Sequence, residues 1–179
     1  MPMPSIKPTR DRVLKGVARF KDINRVYKGL PDMALPESRR AFLNVLGFEQ
    51  PEGEDGHYSP FGDEAKAVVS HLKAGFGISF VEAEPGRGVL THNHDTVETF
   101  MCMTGRWRVL WEGADGNESI ELDTFDFIAL EPGVQRRFEC VEPAAGASVG
   151  LLLGMIGGEA PAGEFSPESV KRMKEAGVI

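Results

Sequence analysis

Many short apolar segments, separated by turn residues, constrain the fold of this chain more than any other feature. From residue 66 to residue 156, β-branched and aromatic stretches alternate with breaks rich in glycine, proline and aspartate. Short strands at such regular spacing are typical of a β-sandwich or barrel, so we predict an all-β fold. The predicted strands cover residues 67–72, 78–83, 99–103, 107–111, 120–122, 125–130, 137–141 and 149–156.

The composition is that of a globular protein with an acidic balance. The chain has 179 residues, which suits one domain, and 20 basic against 27 acidic residues give a formal net charge of −7. No basic face is expected, so nucleic acid is excluded as a partner. The longest apolar stretch, residues 149–156, is too short to span a membrane, and two cysteines are too few for a disulfide scaffold. We expect a cytoplasmic protein in which Cys102 and Cys140 are reduced.

The residues on either side of the strand series predict short helices. Pro36 and Glu37 suit a first helical turn and Gly47 suits the position after the last turn, so we predict a helix between them. Towards the end of the chain, Ser166 is a suitable N-cap for a helix over residues 167–176. The expected organisation is an N-terminal extension with one helix packing on the barrel (1–65), the barrel (66–158) and a C-terminal tail with a short helix (159–179).

Two histidines and a glutamate in the middle of the strand series carry the clearest chemical signal. Residues i and i+2 of a strand point to the same face, so His92 and His94 present two imidazoles side by side. Glu98 would lie ~13 Å away in one straight strand, but a turn at residues 95–97 would return its carboxylate on the adjacent strand. Two histidines and one carboxylate on one side of an ion leave the other side open, which is typical of non-haem Fe(II) oxygenases.

The spacing of these residues resembles the first motif of the cupin superfamily. Gly86, His92, His94, Glu98 and Gly105 match that motif at every defining position. The motif is long enough for a chance match to be improbable, and a second motif is expected further along the chain.

Residues 125–140 resemble the second cupin motif. Asp126, Pro132 and Gly133 fit the family pattern. Three positions depart from it: Phe125 replaces the usual glycine, Cys140 replaces the usual asparagine, and Arg136 replaces the usual third histidine ligand.

The resemblance covers about residues 75–156 and implies a fold, a ligand set and an assembly. The fold would be a cupin barrel, the double-stranded β-helix or jelly roll, with short N- and C-terminal helical additions. His92, His94 and Glu98 would be the ligands of a divalent metal ion, without the fourth ligand. Fe(II) is preferred, while Mn, Ni and Zn also suit imidazole and carboxylate ligands. Cupins of this kind are commonly homodimers, so we expect a homodimer.

Arg136 leaves two interpretations open. A guanidinium is always charged and does not bind metals, but it binds carboxylate or phosphate groups bidentately. In the first interpretation, Arg136 anchors an anionic substrate that bridges it and the metal. In the second, Arg136 pairs with Glu98 and no metal binds. The neighbouring Gln135 is a further candidate for a weak fourth ligand.

The leading functional hypothesis is a metal-dependent enzyme, a dioxygenase in particular, that acts on a small organic acid anchored by Arg136. One alternative is a metal-assisted isomerase, lyase or decarboxylase, in which the ion is a Lewis acid and no O₂ is consumed. Another is a non-catalytic cupin that binds a metabolite. The fold cannot choose among them, because cupins host all of these functions.

Overall fold

The computed structural model describes residues 3–47 and 66–179, which form two β-sheets and a few short helices. This architecture confirms the predicted all-β fold with short helical additions. The helices are α1 (Arg10–Leu14) and α2 (Pro167–Glu175), with 3₁₀ turns at Phe20–Asp22, Pro31–Ala34 and Pro36–Ser38. The strands are β1 (Ala41–Leu46), β2 (Phe76–Ala83), β3 (His92–His94), β4 (Glu98–Thr104), β5 (Arg106–Gly113), β6 (Gly116–Leu122), β7 (Phe127–Leu130), β8 (Arg136–Glu142), β9 (Gly150–Gly157) and β10 (Gly163–Phe165).

The two sheets enclose the hydrophobic core between them. One sheet has the strand order β1-β2-β9-β4-β7 and the other has the order β10-β3-β8-β5-β6. Aromatic rings meet across the gap: the ring of Phe138 lies 5.1 Å from Phe100 of the opposite sheet and 5.9 Å from Trp107 of its own. Alternate residues of β9 are buried, as expected for a strand with one face on a core.

The helix predicted between Pro36 and Gly47 is wrong. After one 3₁₀ turn the chain forms β1, which pairs with β2 along the edge of the first sheet. Both faces of β1 are covered, because Phe42 packs into the main core while Leu43 packs into a smaller cluster with Ile23. A strand that is buried on both faces has no alternating pattern, so its apolar run is easily mistaken for a helix.

The strand predicted over residues 67–72 is also wrong. Within that stretch only Val69 forms a single bridge, which is parallel to Leu46. The other predicted strands are present, with boundaries shifted by a few residues. The C-terminal helix is confirmed as Pro167–Glu175, and the hydroxyl of Ser166 caps it by accepting a hydrogen bond from the Ser169 amide.

Segments from outside the predicted barrel complete both sheets. The N-terminal extension supplies β1 to the edge of the first sheet, and the C-terminal tail supplies β10 to the edge of the second sheet beside β3. The histidine-bearing strand therefore lies between the tail and β8. No helix among residues 3–47 and 66–179 has the length and apolar character needed to cross a bilayer.

Candidate metal centre

His92 and His94 occupy the two ends of the short strand β3 and share one face, as predicted. Their rings meet edge to face with 5.0 Å between centroids. Across the sheet, His92 is paired with Arg136 of β8. The backbone register therefore sets the unexpected arginine directly beside the first histidine.

Glu98 approaches the histidines from the opposite sheet, rather than from an adjacent strand as predicted. It begins β4 in the first sheet, and residues 95–97 carry the chain across from β3 in the second. The potential ligand atoms of His92, His94 and Glu98 all lie within 4.8 Å of one another. The Oε1 atom of Glu98 is 3.6 Å from the Nε2 atom of His94. The three residues are thus close enough to hold one metal ion.

Backbone carbonyl groups orient both imidazoles. The Nδ1 atom of His92 lies 2.8 Å from the Leu90 oxygen, and the Nδ1 atom of His94 lies 2.9 Å from the Ala162 oxygen. A carbonyl oxygen can only accept, so Nδ1 carries the hydrogen in each ring and the Nε2 lone pair is left for a metal. This is the usual outer contact of a metal-binding histidine.

Gly163 leaves the space that the His94 ring occupies. It is paired with His94 across β10 and β3. A Cβ atom at this position would lie 2.7 Å from Cε1 and 2.8 Å from Nδ1 of the His94 ring. The tail therefore contacts His94 in two ways. The Ala162 carbonyl accepts a hydrogen bond from the ring, and the ring packs closely against Gly163, which has no side chain.

Arg136 forms a buried ion pair with Glu98. Its side chain is fully buried, and its Nε atom donates to Glu98 Oε2 at 3.0 Å. Its Nη1 atom donates to the Val134 carbonyl at 2.9 Å. Nη2 lies 2.9 Å from the same Oε2 atom but makes no hydrogen bond of good geometry within the described structure. Arg136 thus contacts one carboxylate oxygen, whereas the other oxygen faces His94.

The surroundings of His92 keep its imidazole neutral. Burial lowers the pKa of His92 to about 3, assisted by the nearby His94 and Arg136 and opposed by Glu98. A neutral imidazole is the form that binds metals. His92 is therefore ready to act as a ligand at neutral pH.

The surroundings of Glu98 keep its carboxyl group ionised. Burial alone would raise its pKa, but the electrostatic interactions with His94, Arg136 and His92 and the hydrogen bond from Arg136 outweigh that effect and lower the pKa. An ionised carboxylate supplies the negative charge that a cation requires.

The donor set fits a divalent ion of the kind that binds nitrogen and oxygen. Two imidazoles, whose Nε2 atoms are not engaged by the backbone carbonyls, and one carboxylate oxygen face a common point, and both histidines have their outer hydrogen bonds. Arg136 occupies the position predicted for the absent histidine and cannot bind the ion. The guanidinium of Arg136 pairs with Glu98 Oε2, so Oε1 of the same carboxylate stays available on the side that faces His94.

Comparison with solved structures identifies the fold. A cupin-2 domain protein of Rhodospirillum rubrum has a TM-score of 0.55 and 13% identity, with 89% of this chain and 86% of that chain covered. The chain has the cupin fold. An oxalate decarboxylase of Lactobacillus farciminis, in complex with formate, also has a TM-score of 0.55, at 9% identity over 85% of this chain. A vicilin of Solanum melongena, with different anionic ligands in structurally similar pockets, has a TM-score of 0.55 at 15% identity over 88% of this chain.

This chain spans only about a third of the length of some of these proteins. It covers 36% of the vicilin chain and 36% of the decarboxylase chain. No protein-family model matches the chain, and no curated protein matches it in sequence. These identities are low, so the likeness concerns the fold.

Sequence reasoning missed the groups that orient the ligands. The carbonyls of Leu90 and Ala162 are backbone groups, which every residue has, so no residue type signals their role. Gly163 was a possible signal, because a glycine within a strand often marks a close approach.

Proposed function

We propose that this protein is a metal-dependent enzyme of the cupin fold that acts on a small organic acid, and that its reaction is an Fe(II)-type dioxygenation. The observation that carries the proposal is the cluster of His92, His94 and Glu98, whose ligand atoms lie within 4.8 Å and whose imidazoles are oriented by carbonyl groups. Three protein ligands on one side leave positions on the ion for other ligands.

The charge balance of the site favours an anionic substrate. Imidazole binds a metal as a neutral ligand, and the charges of Glu98 and Arg136 cancel within their ion pair. A divalent ion would therefore bring two uncompensated positive charges into a largely buried site. Buried charge is costly unless it is paired. A carboxylate substrate would supply the missing negative charge.

Arg136 is the proposed anchor for that substrate. Its Nη2 group forms no hydrogen bond within the described structure, although it lies near the Glu98 carboxylate. A substrate carboxylate beside the metal would give this group an acceptor, and guanidinium groups bind carboxylates strongly. In this role Arg136 would hold the acid in a fixed orientation while Glu98 remains a ligand.

The protein residues would bind and orient the reactants. His92, His94 and Glu98 would hold the ion, which would supply open coordination positions and the redox chemistry that incorporation of O₂ into an organic acid requires. The core side chains of the barrel would limit the access of bulk water to the site. Phe100 and Phe138, both buried, belong to that core.

Oxygen uptake tests this proposal. The protein is loaded with Fe(II) under anaerobic conditions and mixed with a panel of small mono- and dicarboxylic acids in air-saturated buffer. We expect O₂ consumption with at least one acid, its loss in His94→Ala, and no loss in His71→Ala, which changes an exposed histidine. Conversion of an acid without O₂ consumption would overturn the dioxygenase and favour a metal-assisted lyase, isomerase or decarboxylase.

A non-catalytic binding role is the second candidate. The buried ion pair of Arg136 and Glu98 favours it, because the pair neutralises the site without a metal. The vicilin to which the chain is similar has anionic ligands in its pockets. Thermal stabilisation of the metal-free protein by an organic acid, with no conversion of that acid after metal loading, would favour this role.

A further inference from the structure

A buried ion pair in the N-terminal extension lies beside the chain segment that leads into β3. The side chains of Asp32 and Arg40 are fully buried. Arg40 Nη1 donates to Asp32 Oδ2 at 2.8 Å, and Nη2 donates to Oδ1 at 3.0 Å. Arg40 Nη1 also donates to the carbonyls of Ser38 and Gly88. The pair thus joins the extension to the barrel two residues before Leu90.

Asp32 makes one more contact, and that contact leads to the metal centre. Its Oδ2 atom accepts a hydrogen bond from the Leu90 amide at 3.2 Å. The carbonyl of Leu90 in turn accepts from Nδ1 of His92 at 2.8 Å. Both backbone groups of Leu90 are therefore engaged, one by the aspartate and the other by the histidine ring.

The opposite side of the same segment is held by β8. The Val89 amide donates to the Phe138 carbonyl at 3.1 Å, and Gly88 forms a bridge to Glu139. The backbones approach so closely that a Cβ atom at Gly88 would overlap the Phe138 carbonyl. The segment before Leu90 is therefore held by β8 on one side, while Asp32 and Arg40 contact it on the other.

We infer that Asp32, held by Arg40, is a positioning residue for His92: it fixes Leu90 so that the Leu90 carbonyl holds the Nδ1 hydrogen of the ring and directs Nε2 into the metal centre. The inference rests on the proposed metal site and extends it to a residue of the N-terminal extension. Stability alone is a weak explanation for the pair, because apolar residues often replace a buried ion pair without loss of stability.

Two variants separate positioning from folding. Asp32→Asn offers one acceptor oxygen and an amide group to three N–H donors, so either Arg40 or Leu90 loses its partner. The double variant Asp32→Leu/Arg40→Met replaces the pair by apolar side chains and also removes the acceptor for Leu90. The matched control is Glu82→Gln, which alters another bidentate pair between the extension and the barrel, with Arg25.

The first readout is the tautomer of His92 in the metal-free protein, followed by ¹⁵N NMR of the ring nitrogens. The second is the affinity for Co(II) alone, followed by optical titration. We expect the Nδ1–H tautomer in the native chain and in Glu82→Gln. In Asp32→Leu/Arg40→Met, which has no acceptor for the Leu90 amide, we expect a shift towards Nε2–H and Co(II) binding about ten- to a hundredfold weaker, and in Asp32→Asn a smaller change of the same sign.

The outcomes distinguish this inference from the proposed function. A folded Asp32→Leu/Arg40→Met protein with the native tautomer would overturn the positioning role, whatever the behaviour of Asp32→Asn. If the native chain binds no Co(II) while the tautomer still shifts in the variants, the proposed metal function fails and the positioning of His92 by Asp32 stands.

Discussion

The two sides of the metal centre are held in place by different physical means. On the β3 side, the imidazoles are oriented by hydrogen bonds to the carbonyls of Leu90 and Ala162. On the β4 side, Glu98 is held by the charge of Arg136, which is fully buried. One side depends on backbone geometry, and the other depends on a compensated charge.

This difference predicts different responses to mutation. A neutral hydrogen bond contributes about 1 kcal/mol to stability, and its loss mainly misdirects the ring. Removal of one partner from a buried ion pair leaves an unpaired charge, so it mainly affects folding. Changes on the carboxylate side should therefore act on stability, whereas changes on the imidazole side should act on metal affinity.

The largest expected effect belongs to Arg136→Met. Loss of the guanidinium leaves the Glu98 carboxylate without its partner, which should lower the free energy of unfolding by about 3 kcal/mol or more. Chemical denaturation of the metal-free protein measures this. A metal ion should restore part of the loss, because it supplies another positive partner.

The control for this variant is Arg108→Met. Arg108 is partly exposed and pairs with Glu121 and Glu139 at the surface, where such pairs contribute about 1 kcal/mol or less. If the two variants lose equal stability, Glu98 is not held by a buried charge and the contrast between the two sides fails.

The next effect is a pH dependence that arises from His92. Burial depresses the pKa of His92 to about 3, from an ordinary value near 6.5. Between these values the unfolded chain binds the proton and the folded chain does not. Stability is therefore complete above pH ~6.5 and falls as the pH drops towards 3, with a loss of about 2 kcal/mol by pH ~5.

Denaturation of the metal-free protein from pH ~7.5 to ~5 checks this sign and size. His92→Gln should make the free energy of unfolding less dependent on pH. His71→Asn, at an exposed histidine, should leave the pH dependence unchanged. If the free energy of unfolding changes equally with pH in His92→Gln and in the native chain, His92 is not kept neutral by burial.

A smaller effect is expected from Gly163→Ala on the imidazole side. The new methyl group would lie 2.7 Å from the His94 ring, so the ring must move. We expect metal affinity to fall about tenfold, as for other outer contacts of metal ligands, with little change in stability. Isothermal titration with Zn(II) measures the affinity.

Gly157→Ala is the matched control, because a methyl group there would have its closest contact at 3.5 Å, an ordinary packing distance. Native Zn(II) affinity in Gly163→Ala would show that the His94 ring is not confined by the tail.

The sequence could predict the barrel and the identity of the cluster because both depend on strand alternation. His92 and His94 share a face for this reason, and the same alternation buries Arg136, Phe138 and Cys140 along β8. Phe125 replaces a glycine and adopts a φ of 75°, so the turn keeps the glycine-like conformation in spite of the larger side chain.

The sequence could not predict features that depend on what packs on both sides of a segment. The segment that became β1 has Pro36 and Gly47 at its ends, which favoured a helix, but burial on both faces removed the alternating signal of a strand. Gly47 has a φ of 73°, and a Cβ atom there would lie 2.7 Å from the Phe76 carbonyl oxygen, so this position suits glycine although no helix ends at it. Likewise, the position of Glu98 in the opposite sheet depends on how the turn after His94 crosses the barrel.

Metal analysis of the freshly purified protein tests the central claim most directly. Elemental mass spectrometry is applied to the native chain, to His94→Ala and to the control His71→Ala. The cluster of His92, His94 and Glu98 predicts one metal ion per chain in the native and control proteins and none in His94→Ala. Absence of metal from the native chain, even after reconstitution with Fe(II), would contradict the claim and would mean that Arg136 takes the place of the ion.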